Sequence, residues 1–149
     1  MRARDLAWPC TPVHPDAPWR EAAELLVRER APAVVVASED GHPLAVVPAT
    51  QVLTAALPRA VREDPLLAAV VGESLDHDVR GRAASLRLTD VLPKRPPTPA
   101  VVSPDASPLQ MAALMERTGS PFVLVVDYED DRPHLLGTID ALTLVQYFL

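Results

Sequence analysis

With 149 residues, 48% of them apolar and only 4% aromatic, the chain holds one core, or two small halves sharing one, built from Ala, Val and Leu. A formal charge of -6 argues against nucleic acid or an anionic membrane as the main partner. The single cysteine excludes an internal disulfide and fits a cytoplasmic setting, and no apolar run approaches a membrane span.

The first nine residues, MRARDLAWP, lack the apolar core of a signal peptide. The stretch VHPDAPWREAAELL (Val13–Leu26) follows. Its His-Pro-Asp is the tripeptide that J-domain co-chaperones place between long helices, one of them basic, and no such flanks occur here. It reads instead as a helix start, with Asp16 as N-cap, Pro18 in the first turn and an apolar face at Trp19, Ala22, Ala23 and Leu26. AVVVA is short and β-branched, the mark of a strand covered on both faces. The turn SEDGH leads to a second strand, PLAVV, and TQVLTAAL reads as a helix.

Residues 58–88 have a different grain. EDPLLAAVVG predicts a short helix with Asp64 as N-cap, Pro65 at its first position and Gly72 just past its end. ESLDHDVRGRAAS has no clear period, so the segment reads as a partly helical linker packed on its neighbours. Asp76, His77 and Asp78 are adjacent in sequence and make a poor metal cage, so no metal site is assigned. Cys10 reads by default as a packed or surface thiol.

The chain then repeats itself. At an offset of 89 (102 − 13), Val13–Ala37 and Val102–Val126 share 10 identities in 25 positions, where composition alone gives about two or three. Asp105 takes the N-cap place of Asp16, and Pro108, Met111, Ala112 and Met115 take the apolar face, with Gly119 as C-cap. FVLVV is the second covered strand. PLAVVPATQVLTAAL (Pro43–Leu57) matches LLGTIDALTLVQYFL (Leu135–Leu149) at an offset of 92, which predicts that YEDDRPH forms a longer turn than SEDGH. The approach segments RDLAWPCTPV and TDVLPKRPPTPAVV also repeat in outline. The predicted class is α/β (α+β), with the order strand, helix, strand, strand, helix occurring twice. The predicted domains are 1–57, a linker 58–88, and 89–149.

The two V-x-P-D-A entrances, the buried VVV and VLVV strands, DGxPLAVV (Asp40–Val47) and LLGTI (Leu135–Ile139) together resemble a tandem pair of cystathionine-β-synthase (CBS) domains. That resemblance implies two βαββα repeats related by a pseudo-twofold axis, commonly dimerised. It also implies an adenosine-containing ligand (AMP, adenosine or S-adenosylmethionine) in the clefts between repeats. The family's ligand motif runs Gly, two apolar residues, Ser/Thr, two residues, Asp; its carboxylate takes the ribose hydroxyls and its hydroxyl helps receive phosphate. The motif positions fall on Ala45, Pro48 and Gln51 in the first repeat and on Gly137, Asp140 and Thr143 in the second. Val13, Val34, Val102 and Phe122 complete the implied ligand-binding set as an apolar slot for a base.

Both ribose carboxylates and both phosphate hydroxyls are therefore replaced. Gln51 retains the means to bond one ribose hydroxyl, Thr143 is too short to chelate a diol, and Pro48 offers neither hydroxyl nor N–H. Asp140 sets a negative charge where phosphate belongs, so triphosphates are expected to bind worse than uncharged adenosine. An N-cap role for Asp140 is the favoured reading.

No paired carboxylates, phosphate loop or nucleophile elbow occurs, and an enzyme is not expected. The expected function is a stand-alone regulatory module that senses a small ligand and acts on an effector protein in trans, since the chain ends with its last helix. The alternative is a degenerate pair without ligand, serving dimerisation or docking. The last helix is more apolar than one covered face requires, with Leu142, Leu144, Val145, Tyr147, Phe148 and Leu149 around most of it. A homodimer is expected to cover it, with Leu6 and Trp8 of the N-terminal segment as the competing cover.

Overall fold

The computed structural model describes residues 1–149. In chain order the elements are α1 (Ala3–Leu6), α2 (Trp19–Glu29), β1 (Ala33–Ala37), β2 (Pro43–Pro48), α3 (Ala49–Ala55), α4 (Arg59–Glu63) and α5 (Leu66–Val71). A 3-10 turn over Gly72–Leu75 leads to α6 (Asp76–Ser85) and α7 (Leu88–Val91). Then come β3 (Val101–Val102), α8 (Pro108–Thr118), β4 (Phe122–Glu129), β5 (Arg132–Asp140) and α9 (Ala141–Phe148). The fold is mixed α+β. The second copy has the predicted βαββα order in full, whereas the first strand of the first copy shrinks to a single parallel bridge between Val13 and Val36.

Contacts divide the chain into two compact units, each discontinuous in sequence. One comprises Met1–Thr11, Ala37–Ala45 and Pro97–Leu149; the other comprises Pro12–Val36 and Val46–Pro96. In the first unit, β3 pairs parallel with β4, and β4 pairs antiparallel with β5. Val123 to Val126 are all buried, as a strand covered on both faces requires. Around them Ala3, Ala100, Ala106, Met111, Ile139 and Leu144 close the core. In the second unit, Ala22, Leu25 and Leu26 of α2 and Leu88 and Val91 of α7 are buried, along with Val34 to Val36. Leu25 joins the predicted face of α2.

The doubled Pro-Asp-Ala turn has a backbone reason. In the first unit, the N–H groups of Ala3 and Arg4 donate to the carbonyls of Ala106 (2.9 Å) and Pro104 (3.0 Å), and Arg2 Nη1 donates to that of Asp105 (3.2 Å). The second unit repeats this with Leu88, Thr89 and Arg87 on Ala17, Pro15 and Asp16, at 3.0, 3.0 and 2.7 Å. Each turn thus presents three successive carbonyls, and each approach segment satisfies all three. Asp5 and Asp90 complete the match by accepting from the N–H groups of Arg2 (2.8 Å) and Arg87 (2.9 Å).

This arrangement corrects the predicted caps. Asp16 and Asp105 precede the helices rather than capping them. The α2 N-cap is Pro18, and α8 is capped by Ser107, whose Oγ accepts from Gln110 N (3.2 Å) while Gln110 Oε1 accepts from Ser107 N (2.8 Å). Asp105 instead ion-pairs with Arg4. Gly119 ends α8 as predicted, with φ 67°.

The longer turn at YEDDRPH is also corrected. β4 and β5 continue to Glu129 and Arg132, leaving only Asp130 and Asp131 between them, with φ of 51° and 61°. Positive φ at both central residues matches a tight type I′ hairpin. The additional residues lengthen the strands, and a bulge between Val125 and Val126 opposes Gly137 and Leu135, leaving Leu136 as the extra residue. Within 58–88, α5 begins one residue after Pro65, and Asp64 Oδ1 accepts from Leu66 N (3.1 Å). Residues 72–85 are helical almost throughout, more than their aperiodic sequence predicts. No helix is long and apolar enough to cross a membrane.

Candidate ligand-binding site

The motif positions of the second repeat all lie in the first unit. Gly137 and Asp140 stand on β5, Asp140 in register opposite Phe122, and Val102 pairs with Val125. Asp140 caps α9: its Oδ1 accepts from Thr143 N (2.8 Å) and Thr143 Oγ1 (2.7 Å). The favoured N-cap reading of Asp140 therefore holds. The second of these bonds engages the Thr143 hydroxyl, so Asp140 Oδ1 and Thr143 serve the helix terminus. Gly137 has a packing reason for lacking a side chain. The backbone of Trp8 passes directly over it, and Trp8 and Thr138 exchange N–H···O bonds of 2.9 Å. Ala45 also falls in this unit and is buried.

In the second unit, Val13 N–H donates to Val35 O (2.9 Å), and Val13 and Val34 are both buried. Pro48 is exposed at the start of α3 and supplies no side-chain cap. Gln51 is half-buried one turn later, and its Nε2 donates to Val91 O (3.1 Å). That bond orients the amide, so Oε1 remains as its open acceptor.

Gln51 stands on the wall of a cavity of about 520 Å³. Thr54 and Ala55 continue that wall along α3, Arg62 comes from α4, Arg82 and Ser85 from α6, Leu86 from the end of α6, and Asp90 and Val91 from α7. This is within the size range of small-molecule pockets, though more polar than most. Arg82 Nε donates to Ala55 O (3.4 Å), and Asp90 Oδ2 is held by the Arg87 N–H. Arg62, Arg82 and Asp90 escaped the sequence reading: the two arginines lie 20 positions apart (82 − 62), and no motif joins them.

A sequence model of the CBS domain matches residues 3–58. No curated protein matches the chain. Among solved structures, a CBS domain-containing protein of unknown function from Kribbella flavida is 33% identical, each chain covering 100% of the other, with a TM-score of 0.82. The CBS domain of a CBS domain-containing membrane protein from Sphaerobacter thermophilus is 20% identical over 100% of this chain and 88% of that one, with a TM-score of 0.72. The CBS-pair protein CBSX2 of Arabidopsis thaliana, solved in complex with AMP, is 18% identical over 99% of this chain and 96% of that one, with a TM-score of 0.64. At those lower identities the likeness is one of fold. Full-length similarity at one-third identity, joined to the family match on the first repeat and the doubled βαββα order, establishes that this chain belongs to the CBS domain-containing proteins.

Proposed function

We propose that the protein is a CBS-pair regulatory module, with repeats 1–57 and 89–149 joined by 58–88, that binds a small adenosine-containing ligand and acts on an effector protein in trans. The observation that carries this reading is the cavity lined by Gln51, a motif position whose amide oxygen is left open to accept from a ribose hydroxyl. The AMP complex of CBSX2 supports the ligand class. In the second unit Val13 and Val34 are proposed as apolar base contacts, in the first unit Val102 and Phe122 are proposed as their counterparts, and Ala45, Pro48, Gly137, Asp140 and Thr143 are proposed as the remaining motif positions. The role is binding rather than catalysis, in a cytoplasmic setting.

A thermal-shift series with AMP, ADP, ATP, NAD, S-adenosylmethionine and adenosine tests it. A ligand at about 100 times its Kd adds about 2.7 kcal/mol, a shift on the order of several degrees. A flat response to all six sinks ligand sensing.

A second reading has its own support. Asp140 and Thr143 are engaged in capping, and α9 leaves Leu142, Val145, Tyr147 and Phe148 exposed. A pair that serves as a dimerisation or docking piece fits these features, and a homodimer through α9 is compatible with either reading.

A further inference from the structure

The segment between the repeats does more than connect them. Its helices α4 and α6 each bring one arginine, Arg62 and Arg82, to the cavity that Gln51 lines. The carboxylate of α4, Glu63, is taken by Arg59 at 2.7 Å, and Arg62 has no acidic partner. Arg82 uses only Nε on Ala55, so its terminal N–H groups are uncommitted. Against these two guanidinium groups the cavity has one carboxylate, Asp90, already accepting the Arg87 N–H through Oδ2. The lining is thus net positive by one charge and otherwise rich in acceptors: Gln51 Oε1, Asp90 Oδ1 and the hydroxyls of Thr54 and Ser85.

We propose that Arg62 and Arg82 form an anion-binding subsite for a phosphate monoester on a hydroxylated carrier, with Gln51 and Asp90 accepting from the carrier's hydroxyl groups. Guanidinium groups bond phosphate oxygens bidentately, and charge-assisted bonds are the stronger kind, so two of them on one cavity lining suit a terminal phosphate. This deepens the proposed ligand-sensing function and rests on it. It also reverses, for monophosphates, the preference for uncharged adenosine expected from Pro48 and Asp140, because the phosphate is held by the inter-repeat helices instead of by the motif positions.

Calorimetry with AMP, adenosine, ribose 5-phosphate and inorganic phosphate tests the subsite on the wild-type chain and three variants. Arg62→Gln with Arg82→Gln removes both charges, Arg62→Lys with Arg82→Lys retains them, and Arg95→Gln lowers the net charge away from the cavity. All are exposed positions, so folding is expected to be kept. AMP should bind about tenfold or more tightly than adenosine, a margin of about 1.4 kcal/mol. That margin should vanish in the double Gln variant, return in part with the lysines, and survive Arg95→Gln. AMP no tighter than adenosine, or a margin untouched by the double Gln variant, overturns the subsite while leaving adenosine sensing intact. Binding of ribose 5-phosphate without adenosine, lost in the double Gln variant, supports the subsite and overturns the adenosine reading. No binding of any phosphate probe overturns the subsite outright.

Discussion

The Trp8 carbonyl lies so close over Gly137 that a methyl group there would overlap it, with the Ala7 side chain a further 3.3 Å neighbour. The obstacle is backbone, and it is fixed by the two Trp8–Thr138 hydrogen bonds, so it cannot rotate aside as a side chain would. Gly137→Ala should therefore destabilise the protein by about 1–3 kcal/mol, in line with overpacking of a fitted site. A chain lacking residues 1–9 should lose the part of this penalty that the Trp8 backbone imposes and keep the part due to the φ of 159° at Gly137. Chemical denaturation of the four forms of that cycle measures the coupling. An equal cost of Gly137→Ala in both backgrounds would show that Trp8 is not the cause.

How far the sequence carries is uneven, for physical reasons. The covered strands were legible because four consecutive buried positions need an unbroken apolar run, as Val123–Val126 show. The cap at Asp140 was legible because a carboxylate directly before an apolar helix has one obvious partner, the N–H three residues on. Asp16 and Asp105 misled because the same residue type also suits a turn, and here the carbonyls of that turn are what the approach segments bind. Helices α1 and α7 have four residues each, too few to show a period. The cavity was hidden for a related reason: α4 and α6 have no strong apolar face, so nothing in 58–85 signals that Arg62 and Arg82 line one cavity.

Capping by Asp140 makes a second prediction. Asp140→Ala removes the acceptor of both the Thr143 N–H and its hydroxyl, and should cost about 1 kcal/mol. Asp140→Ser retains a capping oxygen and should recover most of that. If Asp140→Ser is as unstable as Asp140→Ala in thermal or denaturant unfolding, the carboxylate acts through something other than the helix terminus.

The β1–β2 turn holds the acid-sensitive group. The Ser38 hydroxyl and then His42 hydrogen-bond the Asp40 carboxylate, with His42 Nδ1 at 2.9 Å, and lower its pKa from 3.8 to about 2. Bonding to the charged form lowers the folded-state value below the unfolded one. The resulting stabilisation is present above the unfolded pKa and is lost as pH falls from about 3.8 through about 2. The carboxylate is fully exposed, so the effect should be small and sensitive to salt. Carboxyl NMR titration should place Asp40 near 2, and Ser38→Ala should move it back toward 3.8. A midpoint unaffected by Ser38→Ala would refute the hydroxyl as the main cause.

The last helix makes the assembly prediction. Leu144 is the only buried residue of α9, while Leu142, Val145, Tyr147 and Phe148 remain 72%, 57%, 42% and 57% exposed. Tyr147 and Phe148 meet edge to face at 5.1 Å, which presents two aromatic rings as one apolar surface. A groove of about 430 Å³ adjoins them, lined by Met115 and Ala112 of α8 and by Pro121, Val145 and Phe148. The N-terminal segment does not close this surface: its Trp8 backbone joins Thr138 on β5, and the Trp8 side chain is itself largely exposed. A second copy related by a twofold axis would place the same helix against itself and cover the surplus on both chains. Light scattering at micromolar concentration should therefore give twice 16.1 kDa. Tyr147→Glu and Val145→Glu, which put like charges across that axis, should each yield the monomer without loss of folded structure. A wild-type mass of 16.1 kDa would refute the dimer, and a dimer indifferent to both substitutions would move its interface away from α9.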